Sequence, residues 1–142
     1  MQKRIENGIM TKIVADTNVI ISSVLKKDTP PSQIMERVYN GEFLLYYSNE
    51  ILSEYKRVLS YPKFNFPDTI QRTLINTIEQ QGILVRPAAR GIPMPDPSDR
   101  PFYDTAREAG AILITGNDRH YPRESFIMTP TIFLEKVQQY TG

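Results

Sequence analysis

Asp16 closes the short apolar run Ile13-Val14-Ala15 and is the first of four acids whose positions along the chain suit one task. A run of this character over residues 12–15 predicts a strand buried on both faces of a parallel sheet. In open α/β sheets ligands bind just beyond the carboxyl ends of the strands, which is where Asp16 would sit. The second acid, Glu54, lies in a helix expected over residues 49–60, with Ile51, Leu52, Tyr55, Val58 and Leu59 as its apolar stripe. Glu54 borders that stripe, between Ile51 and Val58, while Glu50 lies further round and Lys56 and Arg57 point toward solvent. The third, Asp99, opens the segment Ser98-Asp99-Arg100-Pro101-Phe102 and shares the direction of Phe102, Tyr103 and Ala106. Asp104 projects to the opposite, solvated side of the same helix. The fourth, Asp118, follows the apolar run Ala111-Ile112-Leu113-Ile114 within Thr115-Gly116-Asn117-Asp118.

Each acid taken singly has an ordinary use. Glu54 can reach water from the edge of its stripe. Asp99 can satisfy free N–H groups at a helix start, and Asp118 can hold a turn. Together they predict something else, because all four would converge on one end of one sheet. Carboxylates packed within a few ångströms repel, and either take up protons or demand a cation. The chain has no cysteine and one histidine, so the matching ion is a hard, oxygen-loving one, Mg²⁺ or Mn²⁺. Such an ion polarises a phosphoryl oxygen and activates water for in-line attack, which points to phosphodiester hydrolysis.

The elements that must position these acids alternate between strand-like and helix-like segments. Strands are expected at residues 12–15, 43–47, 83–86, 111–114 and 126–128. Helices are expected at 20–26, 32–39, 49–60, 67–81, 100–109 and 131–140. Ser48, Pro67, Ser98 and Pro130 supply start signals, and Gly41, Gly82 and Gly110 supply stops. The pattern predicts an α/β fold, a three-layer α/β/α arrangement around a central parallel sheet of about five strands. Residues 86–97 carry four prolines and a glycine and read as a crossing loop.

The bulk numbers fit one domain over residues 11–142, with residues 1–10 as an N-terminal extension and Met10 as a second candidate start. Of 142 residues, 40% are hydrophobic and 23% charged, which argues against disorder and low complexity. No apolar run approaches the ~18 residues that cross a bilayer, and the first residues lack a signal-peptide core, so a cytoplasmic protein is expected. A net charge of +1 gives no global attraction for polyanions, so any nucleic-acid site must be a local patch or be neutralised by metal ions.

Val14-Ala15-Asp16-Thr17-Asn18, Leu52-Ser53-Glu54-Tyr55, Asp96-Pro97-Ser98-Asp99-Arg100-Pro101-Phe102 and Thr115-Gly116-Asn117-Asp118, in that order and spacing, resemble the motifs of a PIN-domain ribonuclease. The resemblance runs from Thr11 to about Glu135, and the branch it resembles is the toxin component of bacterial toxin–antitoxin modules. It implies a parallel sheet flanked by helices and a metal site built from Asp16, Glu54, Asp99 and Asp118. Asn18 and Thr115 would support those ligands by hydrogen bonds. The resemblance also implies RNA as substrate, a homodimer and, for a toxin, a small antitoxin that blocks the cleft.

Lys56, Arg57, Lys63, Arg100, Arg119 and Arg123 lie near these motifs and are candidates for phosphate contacts. Tyr61, Phe64 and Phe66 offer stacking surfaces to unpaired bases, although aromatics in such a stretch more commonly pack a loop onto the core. His120 is either a substrate-side donor or a surface histidine after a turn. Two other functions fit parts of the pattern. A haloacid-dehalogenase-like phosphatase also places an Asp at the end of its first strand, but needs a second acid two residues later, where this chain has Asn18. A catalytically silent binding module would keep the fold and use its acids structurally.

Overall fold

The structure, a computed structural model, describes residues 10–88 and 91–141. The expected extension therefore lies, but for Met10, outside the described residues, as do residues 89–90 of the crossing loop. Five strands form one sheet: β1 (Thr11–Ala15), β2 (Phe43–Tyr47), β3 (Ile83–Leu84), β4 (Ile112–Ile114) and β5 (Ile127–Met128). Every pairing is parallel and the spatial order is β3-β2-β1-β4-β5. Strands joined by helical crossovers must run parallel, and their two faces are then both covered. That is why Ile13, Val14, Ala15, Leu113 and Ile114 are all fully buried, with no polar alternation.

Among the described residues six α-helices flank the sheet: α1 (Thr17–Leu25), α2 (Pro30–Tyr39), α3 (Asn49–Leu59), α4 (Asp68–Gln81), α5 (Arg100–Ala109) and α6 (Pro130–Thr141). Alternation along β2 assigns α5 and α6 to opposite faces. Phe43 meets Phe133 of α6 edge-on, with ring centroids 5.2 Å apart. Tyr46, of the other parity, is overlain by Lys12, whose Nζ donates to the carbonyl of Ala109 at the end of α5. α2 packs beside α6 and against β2, and α3 reaches α1 on one side and α5 on the other. None of the described helices is long and apolar enough to cross a membrane.

Ser48, Gly82 and Gly110 stand at helix caps as read from the sequence, whereas Asp99 rather than Ser98 stands at the start of α5. The backbone N–H of Ile51 donates to Ser48 Oγ at 3.2 Å, and Gly110 ends α5 in the left-handed region at φ 65°. Gly82 is required for a different reason. A Cβ there would lie 2.6 Å from the Ile78 carbonyl oxygen and 2.8 Å from Tyr47 Cε1, so only hydrogen lets α4 turn into β3.

Three expectations need correction. α1 begins at Thr17, three residues earlier than expected, because Asp16 caps it by accepting from the Asn18 N–H at 3.3 Å. β3 is only two residues long, although the Val85 N–H still donates to the Tyr47 carbonyl at 2.9 Å. Asp104, expected on a solvated face, is 6% exposed. The proline-rich crossing segment lies over that face of α5: Arg100 reaches the Ile92 carbonyl, and the Ala88 N–H donates to Glu108. Beneath this cover Asp104 lies 3.6 Å from Arg100 Nη1 and shares a small cleft with Glu50 and Pro87.

Candidate active site

The sheet order places its topological switch between β1 and β4, since the chain moves outward from β1 in one direction and then restarts on its other side. Asp16 and Thr115 are the residues that follow these two strands. The Asp16 N–H donates to the Ile114 carbonyl at 3.0 Å, which extends the β1–β4 ladder and fixes the backbone beneath the carboxylate. The carboxylate is almost wholly buried and accepts three hydrogen bonds. Oδ2 receives Thr115 Oγ1 at 2.8 Å and the Tyr121 hydroxyl at 3.2 Å, and Oδ1 receives the Asn18 N–H. Thr115 Oγ1 in turn accepts from the Asn117 N–H at 3.0 Å, so its single proton is committed to Asp16. Burial and the Asp16 charge push the Tyr121 phenol far above its ordinary value and keep it a donor.

Glu54 is carried in by α3, which is fixed next to the site by its neighbour Tyr55. The fully buried Tyr55 hydroxyl donates to the Ala15 carbonyl at 2.5 Å, and its ring lies 6.4 Å from that of Phe102 on α5. α3, the end of β1 and α5 are thereby held at one corner. Glu54 accepts a hydrogen bond from Arg57, which also donates to the Tyr61 hydroxyl. Between α3 and α5 opens a cleft of about 520 Å³ lined by Ser53, Glu54, Arg57, Ser98 and Phe102 among others.

Asp99 ends a 3₁₀ turn, Pro97–Asp99, just before α5, and its side chain makes no capping hydrogen bond. The ordinary use of an aspartate at this position is therefore not the one it has. Its Oδ2 is buried and unpartnered. Burial, and then the charges of Asp16 and Asp96, push the carboxyl up to about 6; His120 partly opposes this, and Glu54 adds to it. Asp96 is held in the other direction, because its Oδ1 accepts from Ser98 N at 3.0 Å and from Ser98 Oγ at 2.8 Å.

Asp99 thus feels Asp16 most strongly among the charges, then Asp96 and His120, with Glu54 at the edge of the group. Asp118 is exposed and opens onto a different hollow with Pro122 and Arg123. Of the candidate cations, Arg57 lines the cleft that holds Glu54 and Glu50. Lys56 faces a separate groove between α3 and α4 with Arg72 and Glu79, Lys63 lies over the Phe64 ring, and Arg119 is exposed in the turn Asp118–His120. Arg100 is engaged with the crossing segment and Asp104. Tyr55 and Tyr121 escaped the sequence reading: Tyr55 belongs to an ordinary apolar stripe, and only the position of Tyr121 three residues after Asp118 hinted at the site.

An oxygen-only set of carboxylates, one carrying an orphaned buried oxygen, fits a hard divalent cation better than any soft metal. As placed, no three acidic or histidine side chains among the described residues stand close enough to grip one ion together. Glu54 is engaged in an ion pair with Arg57.

Residues 12–119 match the PIN domain family. The chain belongs to this family. PIN domains are generally metal-dependent nucleases that act on RNA, which agrees with acids gathered at the sheet's switch point. Membership also removes the phosphatase alternative; Asn18 meets Asp16 through its backbone N–H, the capping bond of α1. A relative from Methanocaldococcus jannaschii, an uncharacterized protein, is 28% identical over 112 residues, covering 77% of this chain and 72% of its own length.

Proposed function

We propose that this PIN domain is a Mg²⁺- or Mn²⁺-dependent endoribonuclease that hydrolyses single-stranded RNA, and that it acts as the toxin of a toxin–antitoxin pair. One observation carries the enzymatic reading: the Asp99 carboxyl keeps a buried Oδ2 without a partner, and burial with the charges of Asp16 and Asp96 raises it to about 6. A structural role would have neutralised that carboxyl with a donor, yet its Oδ2 has none. Asp16, Glu54 and Asp99 would hold the metal, which supplies Lewis acidity and an activated water when bound. Asp16 would be the fixed ligand, since Thr115, Tyr121 and the Asn18 N–H leave it little freedom. Asp118 would act from the solvent side as an outer ligand. A homodimer, a small antitoxin and a cytoplasmic site of action complete the proposal, on the strength of the family resemblance.

The test is cleavage of a labelled single-stranded RNA with Mg²⁺ or Mn²⁺ by the wild type and by Asp16→Asn. Cleavage is expected from the first and none from the second, with both folded by circular dichroism. Metal-dependent cleavage by Asp16→Asn at the wild-type rate would refute the mechanism. The toxin role is tested separately, by expressing the wild type and Asp99→Ala in bacteria. Growth inhibition by the wild type alone is expected, and equal inhibition by both would refute it.

A further inference from the structure

Three aromatic rings stand beside the acid cleft in a continuous ladder that the metal chemistry does not use. Tyr61 and Phe64 lie 6.4 Å apart between centroids with planes 7° from parallel, and Phe64 and Phe66 lie 5.5 Å apart at 12°. These are offset-parallel contacts, which set three ring planes in one direction, unlike the edge-on contact of Phe43 and Phe133 at 74°. A flat base laid against an end ring would continue this run of planes. The chain turns between the last two rings through Asn65, which adopts a left-handed φ of 53° that Asn tolerates. The Gln71 side chain donates to the Phe66 carbonyl at 2.9 Å and holds the segment to α4. All three rings are half-buried and keep part of their surface in solvent, and Phe64 and Phe66 are braced by the core.

The ladder is joined to the catalytic acids by one residue. Arg57 donates both to Glu54 and to the Tyr61 hydroxyl, and its guanidinium lies 5.6 Å from the Tyr61 ring centroid. The Arg57 side chain is still 58% exposed, and Lys63 lies over the Phe64 ring at 5.2 Å. Cations set among parallel aromatic planes complement a strand with negative phosphates and flat, unpaired bases. A double helix fits poorly, since its bases are already stacked on one another.

We propose that the Tyr61–Phe66 ladder is a platform on which unpaired bases of an RNA strand stack, beside the nucleotide whose phosphate enters the acid cleft. This rests on the nuclease reading for its substrate, and makes that substrate single-stranded through base stacking. Arg57 and Lys63 contact phosphates, and the rings accept any base, so the platform selects strandedness rather than sequence.

Anisotropy of a labelled single-stranded RNA in EDTA measures binding without cleavage. Tyr61→Leu and Phe66→Leu keep apolar bulk and remove the ring, and each is expected to weaken binding by about 5- to 150-fold. Binding to duplex RNA should change less than twofold. A second arm needs no variant: the wild type should bind a strand with abasic positions weaker by a similar factor. Wild-type protein that binds intact and abasic strands equally would overturn the platform and leave the ladder a packing or protein-contact surface. RNA that is bound through its bases but not cut under Mg²⁺ or Mn²⁺ would instead refute the nuclease reading while the platform stands.

Discussion

Replacing Asp99 by Asn should stabilise the protein in the absence of metal, and the gain should depend on pH. In the folded chain this carboxyl is raised from 3.8 to about 6, by burial first and then by Asp16, Asp96 and Glu54, against His120. A raised carboxyl pKa means that the folded state holds the proton more tightly than the unfolded one. Its protonation therefore adds stability that is fully present below about 3.8 and is lost as pH rises through about 6. Two units correspond to about 3 kcal/mol for a fully desolvated group. Asp99 is only partly buried, and solvent screening reduces this to about 1 kcal/mol. Asn removes the charge at every pH, so at pH 7.5 in EDTA the variant should melt roughly 3–5 °C above the wild type. By pH 4 the two should nearly coincide. Thermal melts across this range are the assay, repeated with Mg²⁺, which at a hundredfold excess over its Kd adds about 2.7 kcal/mol to a protein that binds it. The wild type should gain and the variant should gain less. An Asp99→Asn protein no more stable than wild type at pH 7.5, or a gap that persists unchanged at pH 4, would refute the crowding argument.

Tyr121→Phe removes a donor from Asp16 while keeping the ring, and should lower metal affinity by about 10- to 100-fold, read by calorimetric titration with Mn²⁺. An unchanged affinity would show that Thr115 and the Asn18 N–H orient Asp16 by themselves. Asp118→Asn, at an exposed position away from the acid cleft, should cost less than about tenfold in cleavage rate, as an outer ligand screened by solvent would. A loss equal to that of Asp16→Asn would place Asp118 among the inner ligands. Gly82→Ala forces a Cβ against the Ile78 carbonyl and should destabilise by about 1–3 kcal/mol, seen as a lower urea midpoint with unchanged slope. A midpoint equal to wild type would mean that the turn into β3 relaxes freely.

The strands and most helices were legible because a parallel sheet covered on both faces leaves continuous apolar runs, such as residues 13–15 and 111–114. Glu54 was legible for a related reason, since its place on the edge of an amphipathic stripe follows from helix geometry alone. Asp104 was misread because angular projection knows only the helix. It cannot see a proline-rich segment laid across the outer face, where it buries a charge and pairs it with Arg100. The early start of α1 was missed because Asp16 was read as a strand-end acid, although it also caps the helix that follows. Tyr121 was invisible for a different reason: its bond to Asp16 spans 105 residues and has no local periodicity.

That separation governs how the site comes into being. The two side-chain donors to the Asp16 carboxylate, Thr115 and Tyr121, lie 99 and 105 residues along the chain, and β1 finds its β4 neighbour only when those residues exist. Chains are synthesised from the N-terminus, and contacts of such long range form late. A nascent chain that has already made Asp16 and Glu54 therefore holds both acids without the scaffold that orients them. A nuclease assembled in this order cannot cut the message from which it is being translated until most of its own length has been made.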